Sequence, residues 1–368
     1  MNTNNYKPSI AIPPGSTILE NLEFKNMSQV DLAKRMDRPI KTINEIIKGT
    51  TAITPETAIQ IERVLGISAS YLCRLEANFQ STKAILAARK NLNEETDYLT
   101  LYPYKEMSKQ GWVKNTTDKI ERIEELLKYF GVNSLKLVPE LFPSLNEIAF
   151  RKHKSKTISK EAIYAWLRHG TIESQGIEVD TYNSELFRTY LDSHIDELKS
   201  MTFEEDFNSL IPKLKKILAE FGIVLVYTPN MPNTYLCGAT KWISPTKALI
   251  QLSNRGKYSD ILWFTLFHEI GHILLHGKRD KFIDLEDEYK SESVQEVEAD
   301  DFASERLISK NLFQAFLQTS TLDTEHIMKF AERTNVHPGI VVGKLHNRKI
   351  LEPYMLNELR LKYNSNID

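Results

Sequence analysis

The chain is poor in three things, and each shortage narrows what it can be. Cysteine is scarce: two among 368 residues, Cys73 and Cys237, far apart in sequence. That excludes a disulfide-dense framework and reads as reduced thiols in a cytoplasmic protein. Both lie among apolar residues, which favours packing over catalysis. Long apolar runs are missing too. No stretch approaches a membrane span, and the opening residues 1–9 are polar, unlike a signal peptide. Excess charge of one sign is the third absence. Forty-seven Lys and Arg face 49 Asp and Glu, a formal net charge of −2. A grossly basic nucleic-acid binder is excluded; a local basic patch is not. The hydrophobic fraction of 41% is ordinary for globular domains, and the length suits two or three of them.

What is present begins with Trp263 to Gly277, an apolar run that contains His268-Glu269-Ile270-Gly271-His272. On a helix, His268 and His272 stand one turn apart and point the same way. That spacing lets two imidazoles share one metal ion, with Glu269 close enough to act on a water at its open side. A chance match to this five-residue pattern usually lies on a mixed, solvated helix. Here Leu266, Phe267, Ile270, Ile273 and Leu274 surround it, so the helix is expected to be buried. Two buried histidines and a buried glutamate are costly without partners, and a metal is a good partner. His276 and Gly277 form a plausible helix stop. His276 lies two turns past His268, too far along the axis to join the same metal easily. It sits at the helix end or meets substrate.

A third ligand is sought downstream, in Glu296-Val297-Glu298-Ala299-Asp300-Asp301-Phe302-Ala303. Apolar residues at Val297, Ala299, Phe302, Ala303 and Leu307 suggest a helix with one packed face. Glu296 and Asp300 are four apart and share a face. One could ligate while the other accepts an imidazole N–H and fixes its tautomer. Glu298, pointing elsewhere on the same helix, is the rival ligand. Alternatively all these acids form a solvated face, because the segment from Asp284 to Asp301 is acid-rich throughout.

Together these two patterns resemble the ImmA/IrrE family of zinc metallopeptidases, over about Phe203 to Leu351. The resemblance implies Zn2+ held by His268, His272 and Glu296, with Glu269 as the base and Asp300 behind a ligand. The sequence offers no defensible oxyanion partner.

The first 80 residues read as five short helices. Pro13-Pro14-Gly15-Ser16 opens one carrying Ile18, Leu19, Leu22 and Phe24. Ser28 is a good N-cap, with Asp31 three residues on, for a helix packed through Val30, Leu32, Ala33 and Met36. Asp37-Arg38-Pro39 breaks it. Ile40 to Lys48 follows, ended by Gly49. Thr54 and Pro55 start a fourth helix, with Ala58, Ile59, Ile61 and Leu65 inward and Gly66 as its stop. Ser68 caps a fifth with Tyr71, Leu72, Leu75 and Phe79. The tight break between the second and third suggests a helix-turn-helix.

Met27-Ser28-Gln29-Val30-Asp31-Leu32-Ala33 through Thr42 to Gly49 resembles the Xre-type helix-turn-helix. With Pro13-Pro14-Gly15 and Thr54 to Ala58 it is similar to the HigA group of antitoxin regulators, over about residues 11 to 80. It departs from that pattern in the turn, where Asp37 and Pro39 stand for the common Gly and Ser. The resemblance implies that Ile40 to Lys48 enters the major groove of DNA. Lys41, Thr42 and Asn44 would then face bases, and Gln29, Arg38 and Lys48 phosphates. The alternative is a protein-docking module. Basic residues do cluster, at Lys34, Arg35, Arg38, Lys41 and Lys48.

Residues 81 to 200 read as a helical connector, with amphipathic stretches at Lys119 to Phe130, Leu137 to Phe142 and Ile158 to Arg168. His153, His169 and His194 read as surface residues. Met201 to Glu205 opens a helix reaching Phe221. Gly222 to Tyr227 is a buried strand by its β-branched content, and Tyr235 to Ile243 with Thr246 to Ser253 a hairpin turning at Ser244-Pro245. Helices follow at Leu312 to Gln318, Glu325 to Thr334 and from His337. His337 and His346 read as structural.

The expected architecture is α+β and mostly helical. It has a helix-turn-helix domain at 1–80, a connector at 81–200 and a zincin-like domain with a small sheet at 201–368. The expected function is a cytoplasmic, antitoxin-type transcriptional regulator, binding operator DNA at its own promoter, alone or as a homodimer. Its zinc metallopeptidase would cut a specific regulatory protein or itself. The alternative is a non-enzymatic repressor whose zinc domain is a scaffold or signal sensor binding a toxin partner.

Overall fold

A computed structural model describes residues 8–142, 158–253, 255, 257–276, 282–285, 294–319 and 321–363. His153, Gly277 and much of the acid-rich stretch before residue 294 lie outside them. Contacts divide the chain into two compact units, Met1–Thr96 and Asp97–Asp368.

Among its described residues the first unit holds five α-helices: α1 Gly15–Phe24, α2 Gln29–Arg35, α3 Ile40–Ile47, α4 Pro55–Leu65 and α5 Ala69–Asn91. Their starts follow local chemistry. Ser28 and Asp31 form a reciprocal capping box on α2, and the Thr54 side chain accepts from Thr57 N–H ahead of Pro55. The core joins Ile18, Leu22, Leu32, Ala33, Met36, Ile43, Ile46, Ala58, Ile61, Leu65 and Leu72. Four expected core residues face outward instead: Phe24, Val30, Ile59 and Tyr71 are exposed. Each lies off the stripe that its helix turns inward.

The unusual turn is well formed. Asp37 adopts φ 50°, in the left-handed region that Asp tolerates better than most residues. Arg38 N–H donates to Ala33 O at 3.0 Å and Asp37 N–H to Lys34 O at 3.3 Å. This is the Schellman closure that glycine usually provides. Pro39 is the extended N-cap of α3.

The second unit carries a four-stranded sheet in the order β1-β3-β2-β4, built from Ile223–Thr228, Leu236–Ser244, Lys247–Ser253 and Phe282–Leu285. β1 and β3 run parallel; β2 is antiparallel to both β3 and β4. The hairpin lies where expected, and β4 is an added edge strand. β1 is apolar from Ile223 to Val226 because both its faces are covered there. Ile223 and Leu225 join the main core, whereas Val224 and Val226 pack with Leu249 on Ile177 and Val179.

Among the other helices are α6 Lys119–Phe130, α7 Lys160–Gln175, α8 Phe207–Ala219, α9 Ser259–Leu275, α10 Val294–Leu307 and α11 Pro338–Asn347. From Asp97 on, the described residues read as a connector are part of this unit. Tyr164 and Trp166 of α7 are fully buried, and Gln251 of β3 donates to Trp166 O at 2.8 Å. Tyr182 and Phe187 join the core that holds α9. His169 is no free surface group, since its ring stacks on Trp112 at 4.2 Å. Two expected helices are shorter or tighter. Leu135–Leu141, interrupted by Pro139, is a 3-10 helix, and Met201–Phe203 is a 3-10 turn before Asp206 caps α8. Among the described residues no helix is long and apolar enough to cross a membrane.

His337 illustrates how a structural histidine makes stability depend on pH. It caps α11, its Nδ1 accepting from Gly339 N–H at 3.1 Å, and burial holds its pKa below the usual value. The folded state therefore prefers the neutral ring. Its contribution is present above the ordinary histidine pKa of about 6.5 and is lost as pH falls below it. Wild type should lose more thermal stability between about pH 7 and pH 5.5 than His337→Asn, which keeps a cap but cannot titrate. Parallel pH profiles for the two proteins would overturn this.

Candidate metal centre

Thirteen of the seventeen residues of α9 are buried, the signature of a helix that is apolar all round. Its first turn is pinned by Asp260, whose carboxylate takes two bonds from Arg360, at 3.1 and 2.7 Å. Helix α10 crosses close to it at Gly271. A Cβ there would stand 3.2 Å from Ala299 Cα and 3.3 Å from Phe302 Cδ1. The missing side chain lets the two backbones approach, and that approach carries Glu296 to the histidines.

His268, His272 and Glu296 offer ligand atoms within 4.8 Å of one another, all on buried residues. The two Nε2 atoms are 2.9 Å apart. Glu296 places its oxygens 3.3 Å from His268 Nε2 and 3.5 Å from His272 Nε2. His268 Nδ1 meets Asp300 Oδ1 at 2.8 Å. An ionised carboxylate only accepts, so that nitrogen carries the proton and His268 Nε2 keeps its lone pair. Converging lone pairs and a carboxylate repel one another in a buried space unless a cation lies between them. The donor set, two imidazoles and one carboxylate, is that of catalytic zinc sites with an open position. Glu298 does not join it. Its Oε2 lies 3.1 Å from His276 Nε2.

Glu269 is fully buried on the side of α9 that faces β2. Thr240 Oγ1 donates to its Oε2 at 2.5 Å. At Gly238 a Cβ would come 2.5 Å from Glu269 Oε1 and 2.6 Å from Thr265 Cγ2, so only glycine lets the strand pass. Sequence reasoning missed both residues. A glycine inside a strand pattern was the available signal, because it marks close backbone approach. Thr240 carries no such signal.

In the first unit, Gln29 opens α2, Arg38 ends the turn, and Lys41, Thr42 and Asn44 lie on α3 with Lys48 as its C-cap. Arg38, Lys41 and Lys48 are exposed, while Gln29, Thr42 and Asn44 are half-buried. Two are held by neighbours: Arg38 Nε donates to Gln60 Oε1 at 3.2 Å, and Lys41 Nζ lies 3.9 Å from Glu45.

Comparison with known proteins supports both halves. Residues 219–346 match the IrrE N-terminal-like domain, an M78 peptidase family, and residues 22–72 match the helix-turn-helix family. A solved structure, an addiction module antidote protein of a HigA family from Coxiella burnetii, is 27% identical. The match covers 23% of this chain and 94% of that chain, with a TM-score of 0.21. No curated protein matches the chain. The chain thus carries a helix-turn-helix domain over residues 22–72 and a metallopeptidase-like, IrrE N-terminal-like domain over residues 219–346.

Proposed function

We propose that the protein is a DNA-binding regulator, of the antitoxin type, whose second unit is a zinc-dependent peptidase acting on one regulatory protein or on itself. The observation that carries the peptidase half is the convergence of His268, His272 and Glu296, with Glu269 on the next position of the same helix. When bound, zinc supplies Lewis acidity, polarising a peptide carbonyl and making a water acidic enough to lose its proton near neutrality. The residues do the rest. His268 and His272 present Nε2, with Asp300 holding Nδ1 of His268. The carboxylate of Glu269 takes the proton from water and returns it to the leaving amine. Thr240 holds one oxygen of that carboxylate, so its orientation is set before substrate arrives.

Specific proteolysis fits the company of a DNA-binding domain, because a protease that degraded many unfolded chains would gain nothing from a DNA address. The test is to incubate wild type and Glu269→Gln with zinc, operator DNA and cell extract, then map new protein termini by mass spectrometry. One or a few cuts made only by wild type support the reading. Broad, sequence-tolerant cleavage overturns its specificity. Absence of any zinc-dependent cut favours the scaffold that binds a toxin partner.

The DNA half has its own test. Lys48 at the end of α3 suits a phosphate, and Asn44 suits a base edge. Binding to its own promoter region should weaken steeply with salt, as phosphate contacts release counterions. Lys48→Ala should weaken all sequences alike and lower the salt slope by about one. Asn44→Ala should relax preference at its base by about 1–3 kcal/mol. Gel-shift titrations at several salt concentrations measure both. Unchanged binding in both variants would reassign the first unit as a docking module.

A further inference from the structure

The two histidines of the centre are supported differently. His268 has a carboxylate directly behind it, Asp300 at 2.8 Å. His272 has another histidine: its Nδ1 lies 2.9 Å from Nδ1 of His276. Behind His276 stands Glu298, its Oε2 at 3.1 Å from Nε2. The order of protons follows from the end of the chain. Glu298 as a carboxylate only accepts, so His276 carries its proton on Nε2. The neutral ring then has a lone pair on Nδ1, and accepts from Nδ1–H of His272. That leaves the lone pair of His272 on Nε2, facing Nε2 of His268 at 2.9 Å.

Local structure explains why His276 can do this. It is the C-cap of α9, where the backbone leaves the helix at φ −114° and ψ 167°. Its N–H still bonds to His272 O, at 3.2 Å. The ring is thereby returned over the last turn, with centroids 5.0 Å apart, and its side chain is 3% exposed. A surface histidine marking a helix end has no need of such burial. Glu298 sits two residues after Glu296 on α10, so one helix supplies both a metal-facing acid and the acid at the outer end of this chain of bonds.

We propose that His276 and Glu298 form a relay that holds His272 in its metal-binding tautomer and orientation, making both of them positioning residues for the metal centre. The proposal rests on the metal-site reading given above. It predicts that supporting groups behave as such groups do elsewhere, their loss costing about 10–100-fold in metal affinity.

The experiment measures metal binding directly, by chelator competition with zinc and by the visible spectrum of the cobalt-substituted protein. Full-length wild type is compared with His276→Ala, Glu298→Ala and Glu298→Gln, and with the His268→Ala, His272→Ala double variant. Wild type should bind about one metal and the double variant none. His276→Ala and Glu298→Ala should bind about 10–100-fold more weakly, with altered cobalt bands. Glu298→Gln, whose amide oxygen still accepts from Nε2–H, should restore affinity to near the wild-type value. Thermal melts of the metal-free proteins separate this from simple unfolding. Should His276→Ala fail to fold, the two Glu298 variants decide, since that side chain is 54% exposed and its loss leaves the core untouched. Wild-type affinity and spectrum in Glu298→Ala would overturn the relay while leaving the metal centre standing. Equal weakening in Glu298→Gln and Glu298→Ala would overturn the hydrogen-bonded relay in favour of a charge effect. Failure of wild type itself to bind metal would overturn the site reading, and the relay with it.

Discussion

Glu269→Gln is expected to keep its metal and to lose cleavage by about 10²–10⁴-fold, the usual contribution of a positioned base. The substitution preserves size and the bond from Thr240, since the amide oxygen can accept where Oε2 does. It removes only the ability to hold a proton. Glu269 is fully buried against β2, so a change in shape would disturb Gly238 and Thr265. Glutamine avoids that disturbance, and alanine would not. The measurement pairs metal content with the rate of the mapped cleavage. Cleavage at the wild-type rate would remove Glu269 from the mechanism. Loss of metal in this variant would mean that the residue serves the site's structure instead.

Glu296→Ala should be among the single changes most damaging to metal content. Its carboxylate is the only acidic member of the buried triad, at 3.3 and 3.5 Å from the two Nε2 atoms. Without it two neutral imidazoles would be left for a bound ion, one ligand short of the three-residue set that holds catalytic zinc. Content should fall from about one zinc per chain to near zero. Asp300→Ala should instead weaken binding by about 10–100-fold and still load at saturating metal. Thermal melting gives a second readout. A metal present at 100 times its dissociation constant stabilises the folded state by about 2.7 kcal/mol, so wild type should gain thermal stability on zinc addition and Glu296→Ala should not. Full zinc content in Glu296→Ala would exclude it as a ligand.

Much of this protein is readable one residue at a time, because its causes are local. His268 and His272 fall on one face because an α-helix advances 3.6 residues per turn, whatever surrounds it. Ser28 with Asp31, and Thr54 with Pro55, start helices through bonds made within a single turn. The same is true of α6, which spans the expected Lys119–Phe130, between an Asp118 cap and Gly131 at φ 70°. Asp37 shows the limit of such rules. The common residue is absent, yet the turn closes because aspartate can pay the small cost of a left-handed backbone.

Other features needed the tertiary structure. Sequence leaves Glu296 and Glu298 as rivals, since both are acids on one helix. They lie two residues apart and so project in roughly opposite directions. Which one meets the histidines depends on how α10 is rotated against α9, where Gly271 lies against Ala299. The rival acid turns up on His276 instead. Thr240 reaches Glu269 only because β2 is laid beside α9, 29 residues away in sequence. The stretch read as a connector finds its partners far along the chain, as Trp166 shows: its Nε1 donates to Thr228 O, and its carbonyl accepts from Gln251. Periodicity announces that a helix has a face to bury. It does not name the surface that will bury it, because that choice is made by packing between segments that only the folded chain brings together.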